Sequence, residues 1–111
     1  MDQRRAQRYG LRLPIRVTQI GNSAVERSGE TLDISSSGVL FESLTALHPG
    51  ERIEYVITLQ AAASEVKLRC LGKVLRSDRH PDSESRFDVA VSIDRYHFLR
   101  SARFESASAA M

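Results

Sequence analysis

Tryptophan is absent from this 111-residue chain, which carries only three tyrosines and four phenylalanines. Single-strand nucleic-acid binders stack bases on exposed aromatics. Tyr55, Phe87 and Phe41 fall at inward positions of the pattern described below, so few rings remain for that role. Cysteine occurs once, at Cys70, which excludes an internal disulfide and agrees with a reducing compartment. No stretch approaches the roughly 20 apolar residues that a membrane helix requires. The start, Met-Asp-Gln-Arg-Arg, has no apolar run behind it and does not read as a secretory signal. These absences give a cytoplasmic location as the expectation, with no membrane insertion. Catalytic signatures are missing too: no G-x-S-x-G, Walker loop or G-x-G-x-x-G occurs. His48, His80 and His97 lack the spacing of metal ligands, and Cys70 has no C-x-x-C partner. Asp78 and Asp82 stand in a polar stretch and read as solvated charge. The expectation is a non-enzyme with no metal and no cofactor.

Charge is sparse in net terms, +2 at pH 7, and uneven in kind. Lysine appears only at Lys67 and Lys73, against fourteen arginines. Five of these, Arg4, Arg5, Arg8, Arg12 and Arg16, crowd the first sixteen residues with Asp2 as the single acid. Arginine's planar fork suits phosphates and the O6/N7 edge of guanine, where lysine offers a point charge.

Period-two alternation dominates the chain and argues for half-buried strands. Leu11, Leu13, Ile15 and Val17 point one way, Arg12, Arg16 and Thr18 the other; Pro14 puts this strand at an edge or makes it begin late. Ile20-Gly21-Asn22-Ser23 reads as a turn. Further strands are expected at about 30–34 and 39–42. After a turn at Pro49-Gly50, Ile53, Tyr55, Ile57 and Leu59 alternate inward. Ala61–Ser64 is a loop tip or a short helical turn. A long strand follows with Val66, Leu68, Cys70 and Val74 on one face and Gly72 as a bulge or kink. A polar loop spans 77–86, and Phe87, Val89, Val91 and Ile93 mark a last strand. Asp94 then suits a helix N-cap, with Ile93 and Phe98 placed as a hydrophobic staple and a helix running from Arg95 towards Phe104. The expected fold is all-β: a six-stranded antiparallel small β-barrel, closed to remove its edges, with a C-terminal α-helix. A flexible basic arm over 1–10, the folded body over 11–105 and a frayed tail over 106–111 complete the layout.

Two short motifs carry the chemistry. Arg4-Arg5-Ala6-Gln7-Arg8 is an R-x-x-x-R before the first strand, and Asp33-Ile34-Ser35-Ser36-Ser37-Gly38 is a D-x-S-x-x-G at a strand end. Taken alone, the first reads equally as a solvated basic tail, and the second as a capped turn with glycine supplying a positive φ.

Their order resembles the PilZ domain family, in which an R-x-x-x-R arm precedes a barrel strand and a [D/N]-x-S-x-x-G turn. The flanking Leu11–Val17 and Val39-Leu40-Phe41 are similar as well. One departure is Ala90, where members often have glycine in the last strand; in sequence it lies away from both motifs. The resemblance implies a receptor for cyclic di-GMP and an unidentified downstream protein partner, and it implies a binding set of Arg4, Arg5, Arg8, Asp33, Ser35 and Gly38. Arg4 and Arg8 would address phosphates or guanine, with Arg5 adding charge. Asp33, acceptor-only when ionised, would read the N1–H and N2–H₂ donors of guanine. Ser35 would meet a phosphate or a guanine amine, and Gly38 would let the backbone approach. The competing expectations are a PilZ-like interaction module without a ligand and a small-barrel nucleic-acid-binding protein.

Overall fold

The computed structural model describes residues 7, 9–61 and 64–99. They form seven strands: β1 (Pro14–Ile20), β2 (Ser23–Ile34), β3 (Gly38–Ser43), β4 (Arg52–Ala61), β5 (Ser64–Arg79), β6 (Phe87–Ser92) and β7 (Arg95–Leu99). All pair antiparallel in one sheet of order β4-β1-β2-β3-β6-β5-β7. β4 pairs with β1 and also with β5, so six strands return on themselves in a ring of pairings. Closure leaves those six with a neighbour on each side, which removes the exposed backbone edges of an open sheet. β7 lies outside the ring, against Lys67–Leu71 of β5.

The alternation in the sequence sets what faces the interior. Ile15 and Val17 of β1, Val39 and Phe41 of β3, and Ile53, Tyr55 and Ile57 of β4 are all buried. Cys70, Val74, Val89 and Val91 close the same core from β5 and β6, and Leu47 joins it from the β3–β4 connection. β1 begins at Pro14 itself and is paired on both sides, so its proline marks a late start and not a sheet edge. Gly72 is buried, and the Ser92 carbonyl occupies the space a Cβ would take there. The polar residues Ser77–Arg79 pair with Val89–Phe87 and so extend β5, which confines the loop before β6 to residues 80–86.

The expected helix is corrected over Arg95–Leu99, which is strand β7. Asp94, the expected N-cap, donates its N–H to the Leu71 carbonyl at 2.8 Å and stitches the chain onto β5. The edge of β5 offers ladder partners to this segment, and Tyr96, His97 and Phe98 suit a pleated surface. Residues 100–104 of that expectation, and the expected 106–111 tail, lie outside the described residues. Among the described residues no helix is long and apolar enough to cross a membrane.

Candidate nucleotide-binding corner

Asp33 owes its position to an irregularity. Thr31 pairs with Phe41 and Asp33 with Leu40, so β2 holds one extra residue, Leu32, between those pairs. Thr31 is fully buried, and without the bulge Asp33 would share its side of the strand. The bulge instead aligns Asp33 with the outward-facing Leu40 and returns Ile34 to the core side, opposite Val39. Thr31 also pins the segment ahead of β1: its hydroxyl donates to the Leu11 carbonyl and accepts the Leu13 N–H at 2.9 Å.

Ser35 is buried and works inside its own turn. Its Oγ accepts the N–H groups of Ser37 and Gly38, both at 3.2 Å, and lies 3.3 Å from the Gly38 carbonyl. The Ser35 N–H donates to that carbonyl at 2.9 Å, and the Ile93 N–H reaches the Ser37 carbonyl at 2.9 Å, which fastens the turn to the end of β6. Gly38 does not take the positive φ expected of it; among the described glycines Gly21 and Gly50 do. Its lack of a side chain has another cause, since a Cβ there would stand 2.7 Å from the Val91 carbonyl.

Tyr9 brings the N-terminal segment to this turn. It exchanges two backbone hydrogen bonds with Ile34, at 2.8 and 2.9 Å, as an isolated antiparallel bridge. Arg4, Arg5 and Arg8 lie outside the described residues. Of the six expected binding residues, then, Asp33, Ser35 and Gly38 are together on one turn, and the residue that follows Arg8 in sequence is bonded beside it.

The model of the PilZ domain matches residues 2–101. The chain belongs to the PilZ domain family. Among solved structures this PilZ domain is similar to the Bacillus subtilis inhibitor of motility, MotI/DgrA, with a TM-score of 0.70 at 16% identity. That likeness covers 96% of the present chain and 48% of the other, so the PilZ domain spans about half of that protein's length. At such an identity the likeness concerns the fold. No curated protein matches.

The ladder also shows neighbours of Asp33 that sequence reading missed. Asp33 pairs with Leu40, Leu40 with Ala90, and Ala90 with Arg76, a row across β2, β3, β6 and β5 on the outward side. Ala90 is therefore two strands from Asp33, and the departure that looked remote in sequence borders the motif in space. Adding the Leu32 bulge to the parity of β2 would have found this shelf; the bulge has no residue signature of its own. A second row, Glu30–Glu42–Asp88–Asp78, opposes four carboxylates on successive strands. Each has a partner: Glu30, Glu42 and Asp78 are ion-paired with Arg12 at 3.1 Å, Arg86 at 3.3 Å and Arg76 at 2.9 Å, and Asp88 is hydrogen-bonded to His80 Nδ1 at 2.9 Å. Glu42, His80 and Asp88 offer ligand atoms within 4.8 Å of one another, a set that three separate elements assemble and that linear spacing could not reveal. With every member already paired, the row reads as neutralised charge. Cys70 is fully buried beside Tyr55, and burial pushes its thiol up to about 11, more than the Tyr55 hydrogen bond lowers it. Burial also raises Tyr55, whose hydroxyl donates to the Ser92 carbonyl at 2.9 Å. A protonated thiol with no exposure is not a nucleophile.

Proposed function

We propose that this PilZ domain is a cyclic di-GMP receptor, built on a small six-stranded barrel, that signals to a protein partner by ordering its N-terminal arm. The observation that supports it best is the Tyr9–Ile34 bridge. It tethers the arginine-bearing segment beside the Asp33–Gly38 turn, and an extended chain reaches at most about 3.3–3.6 Å per residue from that anchor. Arg4 and Arg8 then clamp phosphates or guanine edges, and Asp33, turned outward by its bulge, accepts from the guanine N1–H and N2–H₂. Leu40 and Ala90 form the apolar shelf on which a base rests beside Asp33. Mutual repulsion among Arg4, Arg5 and Arg8 keeps the arm mobile until an anion neutralises it, so ligand converts an open segment into a docked one.

A second reading has one observation in its favour. Ser35 caps its own turn and Gly38 makes room for the Val91 carbonyl, so both would persist in a ligand-free interaction module. Calorimetric titration with cyclic di-GMP, GTP and an oligonucleotide separates the readings. Saturable binding of cyclic di-GMP alone is expected. No heat with any of the three would leave the interaction module, and preference for the oligonucleotide would leave the nucleic-acid binder. Backbone hydrogen exchange tests the arm: protection should rise over residues 2–9 and 35–38 on ligand addition, with the distal strands unchanged.

A further inference from the structure

The described arginines and lysines divide sharply. Arg12, Arg16, Arg76 and Arg86 are in ion pairs, Arg27 is hydrogen-bonded to Thr45 Oγ1, and Arg79 to the Glu84 carbonyl. The charged heads of the other five, Arg52, Lys67, Arg69, Lys73 and Arg95, have no such partner among the described residues. The register puts all five on one surface. Ile53, Tyr55 and Ile57 of β4 and Cys70 and Val74 of β5 face the core, so Arg52, Lys67, Arg69 and Lys73 alternate outward. Arg52 lies opposite Lys73, Arg69 opposite His97, and Leu71 opposite Arg95, which carries the outward face onto β7. Both lysines of the chain are here. Glu54 and Glu65 share this stretch of the face, and Asp78, farther along β5, is paired with Arg76.

This distribution is not the remainder of a generally basic protein. Across β2, β3, β6 and the far end of β5 the row of four carboxylates is met residue by residue, by Arg12, Arg86 and Arg76 in ion pairs and by His80 in a hydrogen bond. Among the described residues, the arginines and lysines without such a partner are confined to β4, β5 and β7, and Asp33, Ser35 and Gly38 belong to none of these strands. Long side chains held apart in solution by mutual repulsion are stabilised when an anionic surface meets them. Apolar positions, Val56, Leu71 and Leu99, are interleaved with the cations in the same register. A groove of about 590 Å³ opens beside the face, with Arg52 and Arg95 and also Glu54 and Asp94 among its walls.

We infer that the outward face of β4, β5 and β7 is a docking surface for an acidic protein partner, separate from the nucleotide corner. Charge complementarity selects the partner, whose acidic side chains meet the outward row of Lys67, Arg69, Lys73 and Arg52. The chemistry of the face favours protein over nucleic acid. Tyr96 and Phe98 pair with Cys70 and Leu68 and so stand on the opposite side of β7, which leaves the His97 imidazole as the one described ring of these strands on the face, short of a stacking platform. A three-stranded face is also wider than the two-stranded ribbon that a major groove admits. The inference adds the partner side to the receptor reading but does not depend on nucleotide binding.

The test uses poly-L-glutamate as the probe, followed by amide NMR titration at low salt. Shifts are expected to map to β4, β5 and β7, with binding weakening steeply as salt rises. The pair Lys67→Glu with Arg69→Glu should weaken binding at least tenfold, and circular dichroism verifies that the pair folds. The control pair Arg27→Glu with Arg76→Glu changes net charge equally and should bind within twofold of the parent. Equal losses in both pairs, or shifts centred on residues 9–38, overturn the inference. So does tighter binding through this face of oligodeoxythymidine or of vesicles of phosphatidylglycerol and phosphatidylcholine. Cyclic di-GMP titration of the Lys67/Arg69 pair keeps the two readings apart. Unchanged nucleotide affinity with lost polyglutamate binding upholds a separate surface, whereas a parent that ignores the nucleotide yet binds polyglutamate sinks only the receptor reading.

Discussion

Replacing Ser35 by alanine tests whether the motif serine serves the ligand or the fold. Its Oγ accepts two backbone N–H groups, those of Ser37 and Gly38, at 3.2 Å each, and Gly38 is buried. Alanine leaves the Gly38 N–H without that acceptor in a place water does not reach. An unsatisfied buried donor costs about 1–3 kcal/mol. The bonds here are at the long end of the usual range, so about 1.5 kcal/mol is expected. For a domain of this size that corresponds to a fall in Tm of about 6 °C. Asp33→Ala provides the contrast, because the carboxylate is turned outward beside Leu40 and its proposed work is on guanine. Thermal unfolding by circular dichroism and calorimetric titration should be run on both variants. Ser35→Ala should lose stability, with weaker nucleotide binding as a consequence of a looser turn. If Ser35→Ala melts like the parent and still loses more than tenfold in affinity, the hydroxyl works on the ligand and the capping argument is wrong.

Arg4→Ala and Arg8→Ala should each weaken cyclic di-GMP binding by about 1.5–3 kcal/mol, and lysine should rescue only in part because it loses the fork; calorimetry showing Arg8→Lys equal to the parent would leave simple charge attraction. Asp33→Ala should narrow the preference for cyclic di-GMP over cyclic di-AMP, since adenine lacks the donors a carboxylate accepts; an unchanged ratio of affinities removes Asp33 from base reading. Gly72→Ala should destabilise at or above the top of the roughly 1–3 kcal/mol range for overpacking, seen as a lower urea midpoint, because its Cβ would run into the Ser92 carbonyl. Stability should also fall at alkaline pH. Cys70 is raised from 9.0 to about 11 and Tyr55 is raised above 10.0, both chiefly by burial, so the unfolded chain loses these protons first and stability declines as pH rises above about 9. A flat denaturation midpoint between pH 8 and 10.5 would contradict that sign, with these bounds set at about one unit around the ordinary thiol and phenol values.

Much of the ring was legible because burial repeats every second residue. Ile53, Tyr55 and Ile57 read inward from the sequence and are inward in the structure. Two features were not legible, each for a physical reason. Arg95–Leu99 carries both helix and strand signals, a good N-cap at Asp94 and the β-favouring Tyr96 and Phe98, and the decision rests on β5, a partner distant in sequence. The Leu32 bulge adds one residue to β2 and reverses the facing of everything after it, which no local composition announces. The motif itself was legible, but the reason for its glycine was not. Positive φ is a property of the turn alone, whereas the approach of the Val91 carbonyl to Gly38 exists only once β3 and β6 pair.

These particulars explain how a ligand site can share residues with a closed sheet. The ring needs a tight β2–β3 connection, and Ser35 and Gly38 supply it by satisfying the turn and admitting the β6 backbone. Such residues answer to the fold whether or not a nucleotide comes. Asp33 is different: the bulge spends one residue of register to present it outward, and the Tyr9–Ile34 bridge spends two backbone bonds to bring the arm to the same corner. Neither device is required to close the ring, since β1 already begins only at Pro14 and β2 already pairs on both sides. Loss of ligand binding would release the second group first. Drift at Asp33 and in the arm with Ser35 and Gly38 intact would leave the same ring, the same turn and the unpaired basic face on β4, β5 and β7. The receptor and the interaction module are therefore neighbours, separated by the outward carboxylate and, on the proposed reading, by the work of Arg4 and Arg8.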